Sequence, residues 1–386
     1  MNKLKKKIIT IVGARPQIIK SSALSRAVST HFSSELQEII VHTGQHYDEN
    51  MSHVFFEEMK IPFPDYNLSV GSGTHGKQTA KMLDGLEEIF LKEKPDAVVV
   101  YGDTNSTIAG ALAATKIHIP VVHIEAGLRS FNKAMPEEVN RIACDHMSSL
   151  LFTPTDAGIK NLSKEGFDVS GNGKGSADSP SVHHCGDIMY DNSLYFSKVS
   201  DEKSTVLEEL SLKPDEFILC TVHRDSNTDI KENMECIFQA LLDIGENAGL
   251  KIILPLHPRT KHKMQAQLSE DLYSAIQQSD MIEIIAPAGF LDIIALEKNA
   301  RMLVTDSGGL QKESFFFEKP CVILRPQTEW VEIVNNGNAI LADADYNKII
   351  DAFNKLIIKD DFSYPNYYGD GKAAEFICNK IVEMIN

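Results

Sequence analysis

The stretch KKIITIVGARP, residues 6–16, decides the fold of the first half of the chain. Residues 6–12 have the length and the β-branched content of a strand that is buried on both faces. Gly13 then permits a tight turn, and Pro16 suits the first turn of a helix. A strand that passes directly into a helix is how a parallel α/β sheet begins. The apolar run is also too short for a signal peptide or a membrane span, so we expect no membrane insertion.

The same alternation of strand-length apolar runs with amphipathic, helix-length stretches continues along the chain. It predicts an α/β protein, and a length of 386 residues suggests about two domains. We expect a Rossmann-like domain over 1–190, a second one over 191–365, and a C-terminal helix over 366–386 that packs back on the N-terminal domain. The predicted strands are residues 6–12, 36–41, 97–101, 121–124 and 150–153 in the first half, and 217–222, 251–256, 281–285, 302–305 and 321–324 in the second.

The charge balance argues against a nucleic-acid partner. The sequence has 38 Lys and Arg residues against 54 Asp and Glu, a net charge of -16, and so acidic a surface repels a phosphate backbone. The six cysteines show no paired or regular spacing, which is typical of free thiols in a reducing compartment. We therefore expect a cytoplasmic protein in which any anionic ligand meets a few well-placed cations.

Carboxylates follow two of the predicted strands, at the edge of the sheet where α/β proteins bind ligands. Asp103 and Glu125 come directly after strands, and Glu137 stands twelve residues after Glu125. Clustered carboxylates push each other's pKa values apart, so that one can act as an acid while another stays a base. We expect acid–base catalysis from these three residues. The structural alternative makes Asp103 a helix cap and pairs Glu137 with Arg141 one helical turn later.

A second group of residues suits a diphosphate. The segment Asp306-Ser307-Gly308-Gly309 lies between a predicted strand and a helix, which presents free backbone amides and the positive end of the helix dipole. Glu313, one turn further, suits ribose hydroxyls, and Arg15 follows the first strand of the other half. Taken singly, these features are equally consistent with an ordinary turn, an N-cap and a solvated arginine.

Two histidines, His223 and His257, end strands in the second half and supply donors for an anionic leaving group. With His123 they make three strand-end histidines, but no paired spacing supports a metal site, and we expect none. No predicted strand leads into a G-x-G-x-x-G segment, and no Walker P-loop is present. We therefore expect neither a redox cofactor nor ATP hydrolysis.

Taken together and in this order, the segments resemble the non-hydrolysing UDP-N-acetylglucosamine 2-epimerase family. The likeness covers most of the chain and rests on residues 13–16, 102–104, 123–129, 136–141, 223–224, 257–258 and 306–313. It implies a GT-B architecture with two Rossmann-like domains facing across a cleft, a homodimer, a UDP-sugar substrate and no cofactor. It also implies a two-stage reaction, in which UDP is eliminated to leave an enzyme-held 2-acetamidoglucal and then adds back, with the proton delivered to the other face of C2.

The resemblance also implies roles for individual residues. The catalytic residues fall on Asp103, Glu125, Glu137 and His223. Contacts to UDP fall on Arg15, Ser307, Gly308, Gly309 and Glu313. We expect Arg141 and His257 to contribute to UDP or substrate binding as well. Which carboxylate serves which face of C2 stays open.

Residues 43–48 and 130–132 are more similar to the subgroup that acts on UDP-2,3-diacetamido-2,3-dideoxyglucuronate, an intermediate of surface polysaccharides. Two substrates therefore stay open, UDP-N-acetylglucosamine and this uronate. Three other functions also stay open: a hydrolysing epimerase that releases N-acetylmannosamine and UDP, a GT-B glycosyltransferase, and a UDP-sugar binding protein without catalysis.

Overall fold

The computed structural model describes residues 5–44 and 61–386. The chain divides into two compact units. Unit 1 runs as far as Asn192 and also includes Asn366–Asn386, whereas unit 2 is Ser193–Pro365. Each unit is built on a parallel sheet of its own.

The sheet of unit 1 has seven strands in the part of the chain that the structure describes. They are β1 (Lys6–Val12), β2 (Leu36–His42), β3 (Tyr66–Asn67), β4 (Ala97–Tyr101), β5 (Val121–Ile124), β6 (Leu150–Thr153) and β7 (Ser181–His184). Their order in the sheet is β3-β2-β1-β4-β5-β6-β7. The chain proceeds in opposite directions on either side of the β1–β4 pair, so the loops after these two strands diverge. Such a switch point is where open α/β sheets bind ligands.

Helices cover both faces of this sheet, because successive side chains of each strand point to opposite faces. On one face, Ile8 packs with α1 (Arg15–His31) and with the C-terminal helix, Ala373–Ile385. On the other, Ile9 and Ile11 pack with α2 (His75–Glu93) and α3 (Asn105–Lys116). The remaining helices of this half are α4 (Pro136–Asp145), α5 (Asp156–Lys164) and α6 (Ile188–Lys203), which contains the boundary between the units.

Unit 2 repeats the arrangement with six parallel strands. They are β8 (Phe217–Thr221), β9 (Lys251–Pro255), β10 (Ile282–Ile285), β11 (Met302–Thr305), β12 (Cys321–Ile323) and β13 (Ala339–Leu341), in the order β10-β9-β8-β11-β12-β13. Its switch point lies between β8 and β11. The helices are α7 (Val206–Glu209), α8 (Asp225–Thr228), α9 (Lys231–Ala248), α10 (Pro258–Gln267), α11 (Glu270–Gln278), α12 (Phe290–Asn299), α13 (Gly308–Phe316), α14 (Val331–Asn335) and α15 (Tyr346–Ile357), and the C-terminal helix is α16.

The ten predicted strands are confirmed to within a residue at each end, and three more occur, β3, β7 and β13. Two of these three, β3 and β7, end the first sheet, and β13 ends the second. No helix within the described ranges is both long and apolar enough to cross a membrane. All six cysteines carry free thiols.

Gly13 lies in the turn after β1, as expected, and its φ is not positive. The reason for a glycine is a close approach. A Cβ atom at this position would lie 2.0 Å from Ser106 Oγ and 2.3 Å from Thr43 Oγ1. The amide side chain of Gln17 completes the turn, since its Oε1 accepts from the backbone N–H groups of Gly13 and Ala14 and its Nε2 donates to Tyr101 O.

Candidate functional site

Two ion pairs lie at the switch point of unit 1. The Glu125 carboxylate, just after β5, pairs with Lys20 of α1, and both side chains are 13% exposed. The Asp103 carboxylate, just after β4, pairs with Arg141 of α4. The structure therefore places two of the three predicted carboxylates at neighbouring strand ends, each with its own cation.

The backbone at these strand ends is left-handed. Gly102 has a φ of 61° and Glu125 a φ of 72°. For a residue with a side chain this conformation costs about 1–2 kcal/mol, so Glu125 is held there by its surroundings. A Cβ atom at Gly102 would lie 3.2 Å from Glu125 Oε2 and 3.6 Å from Lys20 Nζ. Gly102 thus both allows the turn and lets the Glu125–Lys20 pair approach it.

The surroundings of Asp103 increase the proton affinity of its carboxyl. Burial raises the pKa of this carboxyl above its ordinary value, and Glu125 raises it further, against the opposing effects of Arg141 and Lys20. A carboxyl with a raised pKa exchanges protons more readily near neutral pH than a free aspartate does. Asp103 is therefore suited to proton transfer.

Arg141 does not pair with Glu137, so that structural alternative is wrong. Its guanidinium donates to the buried carboxylate of Glu138 at 2.7 Å and to Asp103. Glu138 also accepts from the backbone N–H groups of Ser130 and Phe131 at 3.0 and 2.9 Å. Glu137 itself lies exposed in the first turn of α4. Arg141 thus acts as a support for Asp103, and Glu137 is accessible to a ligand.

His123 lies beneath this edge and is engaged at both ring nitrogens. Nδ1 is 2.7 Å from Asp145 Oδ1, and Nε2 is 2.8 Å from Gly102 O. Neither nitrogen is available to a metal ion, which removes His123 from any metal site. Among the described residues, no group of three or more His, Cys, Asp or Glu side chains is arranged to hold a metal.

A glycine-rich segment that was not among the predicted motifs leads into α2. Residues 71–76 have the G-x-G-x-x-G spacing, and they follow the two-residue strand β3. Cβ atoms at Gly71, Gly73 and Gly76 would meet nothing within 4 Å. Because β3 lies at the end of the sheet and not at its switch point, this segment lacks the context of a dinucleotide site.

In unit 2, the buried carboxylate of Asp306 organises the ends of β8 and β11. It accepts from the backbone N–H groups of His223 and Arg224 at 3.0 Å each and from Asn227 Nδ2 at 3.1 Å. Asp306 is not a helix cap, because Ser307 fills that role for α13. Burial opposes the charge of Asp306, but its bonds to His223 and Arg224 hold its pKa below the ordinary value.

Asp306 also orients the imidazole of His223. His223 Nδ1 lies 2.8 Å from Asp306 Oδ1, while 55% of the histidine side chain is exposed. A carboxylate on Nδ1 determines the tautomer and the direction of the ring, and it leaves Nε2 to face a ligand. This arrangement suits a histidine that donates a proton or a hydrogen bond to an anionic leaving group.

The start of α13 has room that the protein does not fill. Neither Gly308 nor Gly309 has a positive φ. Cβ atoms at these positions would have nearest neighbours at 3.7 Å, which is ordinary contact. The fold therefore does not require glycine here, and two small residues leave the amides of a helix start open to close approach by an anion.

The other predicted residues are more dispersed. Arg15 is exposed at the first position of α1, and His257 is exposed and caps α10, where its ring accepts from Arg259 N–H. Glu313 is half-buried in α13, and its Oε2 would lie 3.7 Å from a Cβ atom at Gly309. Of residues 43–48, those from 45 onward lie outside the described part of the chain.

Sequence reasoning missed Lys20 and the orienting role of Asp306. Lys20 is separated from Glu125 by 105 positions, so no local pattern links them. The available signal was its place on α1, five residues beyond Arg15, in the helix that begins at the switch point. For Asp306 the signal was a carboxylate at the end of a buried strand, opposite the His223-Arg224 strand end.

Comparison with known proteins gives consistent matches over the whole chain. The model of the family described as UDP-N-acetylglucosamine 2-epimerase matches residues 29–382. A Methanococcus maripaludis protein named UDP-N-acetylglucosamine 2-epimerase homolog is 47% identical over 98% of this chain and 99% of its own length. The Pseudomonas aeruginosa UDP-2,3-diacetamido-2,3-dideoxy-D-glucuronate 2-epimerase is 44% identical over 98% of this chain and 100% of its own.

A solved structure extends the match to three dimensions. The crystal structure of Methanocaldococcus jannaschii UDP-GlcNAc 2-epimerase in complex with UDP-GlcNAc and UDP has a TM-score of 0.82 and 40% identity, covering 98% of this chain and 99% of that one. The expected fold class, two Rossmann-like domains of the GT-B type, is confirmed.

Proposed function

The chain belongs to the UDP-N-acetylglucosamine 2-epimerase family, and we propose that this enzyme inverts C2 of a UDP-linked 2-acetamido sugar without net hydrolysis. The observation that carries the proposal is the pair of carboxylates, Asp103 and Glu125, at neighbouring strand ends of unit 1. No redox cofactor is needed, because the reaction removes and returns one proton and one UDP.

The chemistry explains why carboxylates are required. C2 of the sugar has no adjacent carbonyl to acidify its proton. The C1–O bond to UDP therefore breaks as the C2 proton leaves, which forms the C1=C2 bond of a 2-acetamidoglucal. Positive charge that develops at C1 is stabilised by nearby anions. UDP then re-forms the C1–O bond while a proton reaches C2 from the opposite face.

We assign the proton transfers to Asp103, Glu125 and Glu137. One group removes the proton from one face of C2, and another supplies a proton to the other face. Lys20 and Arg141 keep Glu125 and Asp103 oriented, and they moderate the repulsion between the two carboxylates. Arg141 thus contributes to substrate binding through the carboxylate it holds.

We assign UDP to the switch point of unit 2. The amides of Gly308 and Gly309 suit the diphosphate, with Ser307 as the residue that caps this helix start, and Glu313 suits the ribose hydroxyls. His223, held by Asp306, donates to the departing diphosphate, with Arg15 and His257 as additional contacts. A leaving group stabilised in this way departs more easily from C1.

Two features of the proposal go further. We propose a homodimer that works in the cytoplasm, where the six free thiols remain reduced. The substrate is UDP-N-acetylglucosamine or its 2,3-diacetamido uronate counterpart, because the relatives at 47% and 44% identity carry the two corresponding names.

Product analysis tests the proposal. The purified protein is incubated separately with UDP-N-acetylglucosamine and the uronate, and proton NMR follows the anomeric signals over time. We expect one substrate to approach an equilibrium with its C2 epimer while UDP stays attached. Free UDP in step with a free sugar would indicate the hydrolysing reaction instead. If the substrates change only in the presence of a sugar acceptor, the result favours a glycosyltransferase. If both substrates bind but neither changes, the result favours a binding protein.

A further inference from the structure

A buried ionic network links the two carboxylate-bearing turns of unit 1. Its members are His123 of β5, Asp145 at the end of α4, and Arg129 in the intervening loop. The His123 and Asp145 side chains have no exposed surface, and that of Arg129 has 1%. Arg129 donates to Asp145 at 2.7 Å and to Glu165 at 2.7 Å. None of these residues has a role in the proposed reaction so far.

The partners of His123 determine its protonation. Nε2 faces the carbonyl oxygen of Gly102, which can only accept, so Nε2 carries a proton. Nδ1 faces Asp145, whose carboxylate also accepts from Arg129 and from Gly127 N–H at 3.1 Å. A carboxylate that already accepts from a guanidinium and a backbone N–H is ionised and can only accept, so Nδ1 carries a proton as well. His123 is thus a buried imidazolium that donates from both nitrogens.

Electrostatics agrees with this assignment. Burial lowers the pKa of His123, but Cys144 and Asp145 together raise it well above its usual range. Burial likewise works against the charge of Asp145, and His123 and Arg129 reverse this effect, so the pKa of Asp145 is below its usual value. Arg129 and His123 therefore share one buried anion.

The network acts on the backbone of both turns. The Gly102 carbonyl that accepts from His123 directly precedes Asp103, and the Gly127 N–H that donates to Asp145 lies two residues after Glu125. Three residues at these turns have left-handed φ angles: Gly102 at 61°, Glu125 at 72° and Gly127 at 76°. Such turns persist only where the surrounding structure determines them.

We propose that His123, as a doubly protonated imidazolium, is a positioning residue that holds the Asp103 and Glu125 turns at the spacing that C2 inversion requires. The inference rests on the proposed epimerase function. A misplacement of about 1 Å costs up to about 10²-fold in rate, so the geometry of these turns is a direct determinant of kcat. The ring of His123 bonds to Asp145 and Gly102 and to none of the groups assigned to UDP, so we expect the affinity for UDP to be independent of His123.

The first experiment measures the protonation state of the His123 ring in the unsubstituted protein. Nitrogen-15-labelled histidine is incorporated, and the His123 signals are assigned by their absence in His123→Gln. We expect both ring nitrogens to retain attached protons at pH values well above the ordinary histidine pKa of about 6.5. A neutral ring with one unprotonated nitrogen under these conditions would overturn the proposal, whether or not the variant folds well enough for kinetics.

The second experiment separates positioning from folding. Glutamine in place of His123 can still donate to a carbonyl but carries no charge. We expect kcat to fall by about 10-fold to 10²-fold, with the Kd for UDP unchanged by calorimetry. His31→Gln is the matched control, because His31 is exposed and makes only a 3.6 Å surface pair with Glu375. It should behave like the parent protein.

The outcomes distinguish this inference from the function on which it rests. An inactive parent protein refutes the epimerase function. An active parent whose His123→Gln variant keeps the parent kcat refutes only the positioning role. A loss of kcat and UDP affinity together would indicate a general folding defect and would also count against positioning.

Discussion

Two glycine turns, one at the switch point of each unit, have different physical causes. Gly13 follows β1 at the switch point of unit 1, and Gly308-Gly309 follows β11 at the switch point of unit 2. A Cβ atom at Gly13 would collide with Ser106 and Thr43, whereas Cβ atoms at Gly308 and Gly309 would make only ordinary contacts. Glycine is therefore required by packing in unit 1, whereas packing does not require it in unit 2.

The carboxylates at these two sheet edges also differ in their contacts. In unit 1, each of two carboxylates is paired with a cation and presented at a strand end. In unit 2, the carboxylate that directly follows β11, Asp306, is buried and accepts hydrogen bonds from backbone N–H groups and contacts His223. The comparison teaches that one topology presents cation-paired carboxylates at one sheet edge and open helix-start amides beside an oriented histidine at the other. The proposed division into proton transfer and anion binding rests on this difference.

The largest expected effect is that of Glu125→Gln. This change keeps the shape of the side chain and removes its ability to take or give a proton. Because proton transfer contributes typically 10² to 10⁴ in rate, we expect kcat to fall by about 10²-fold or more. The Kd for UDP, measured by calorimetry, should stay within a few-fold. Near-normal turnover would remove Glu125 from the proton transfers.

Arg15→Ala tests whether unit 1 also contributes to anion binding. If the guanidinium makes a charge-assisted hydrogen bond to the substrate, its loss weakens UDP-sugar binding by roughly 1.5–3 kcal/mol. Titration calorimetry with UDP and with the UDP-sugar measures the change. Lys77→Ala, on the exposed part of α2, serves as a control for general charge effects. Unchanged affinity in Arg15→Ala would show that this side chain faces elsewhere.

Substitution of glycine by alanine tests the different physical causes of the two glycine turns. Gly13→Ala should destabilise the protein by about 1–3 kcal/mol, since the added carbon overpacks a closed site. Gly309→Ala should leave stability unchanged or raise it slightly, because alanine is the better helix residue. It should instead weaken UDP binding.

Thermal unfolding and UDP titration of both variants measure this contrast. The account is contradicted if Gly309→Ala lowers the unfolding temperature as much as Gly13→Ala does, or if its UDP affinity equals that of the parent.

The smallest expected effect is a shift of the acid limb of the pH–rate profile. Burial raises the pKa of Asp103, and Lys20 is one of the cations that oppose this rise. Removing a nearby positive charge disfavours the ionised carboxylate, so Lys20→Met should raise this pKa further. If Asp103 reacts in its ionised form, the decline of kcat on the acid side then begins at higher pH. A limb that stays in place or moves to lower pH would exclude Asp103 as the group that titrates.

Much of the fold could be predicted because the central strands are buried on both faces. All of β4 is fully buried, and its sequence is an unbroken apolar run. The end strands β3, β7 and β13 are two to four residues long, and β3 and β7 carry polar or exposed side chains. Their pairing depends on neighbours distant in sequence, so a local pattern does not reveal them.

The site residues also divide into features that a local sequence pattern predicts and features that depend on tertiary contacts. The strand-end rule located Asp103, Glu125, His223 and Ser307, because parallel topology alone determines where these residues lie. The rule could not predict which side chains form ion pairs with these residues. The structural alternative paired Arg141 with Glu137 on the same helix, yet Arg141 pairs with Asp103 and Glu138. The choice depends on how α4 packs against α3, the helix that begins just after Asp103, and helical spacing does not contain that information.

Isotope exchange at C2 tests the central claim most directly. The protein is incubated in D2O with UDP-N-acetylglucosamine and, separately, with the 2,3-diacetamido uronate, and mass spectrometry with NMR locates any deuterium. The account predicts that one of the two acquires a single deuterium at C2, in the epimer and in the recovered substrate alike, and that Glu125→Gln suppresses this exchange. Epimer that retains its original hydrogen at C2, or the absence of deuterium from both sugars, would contradict it.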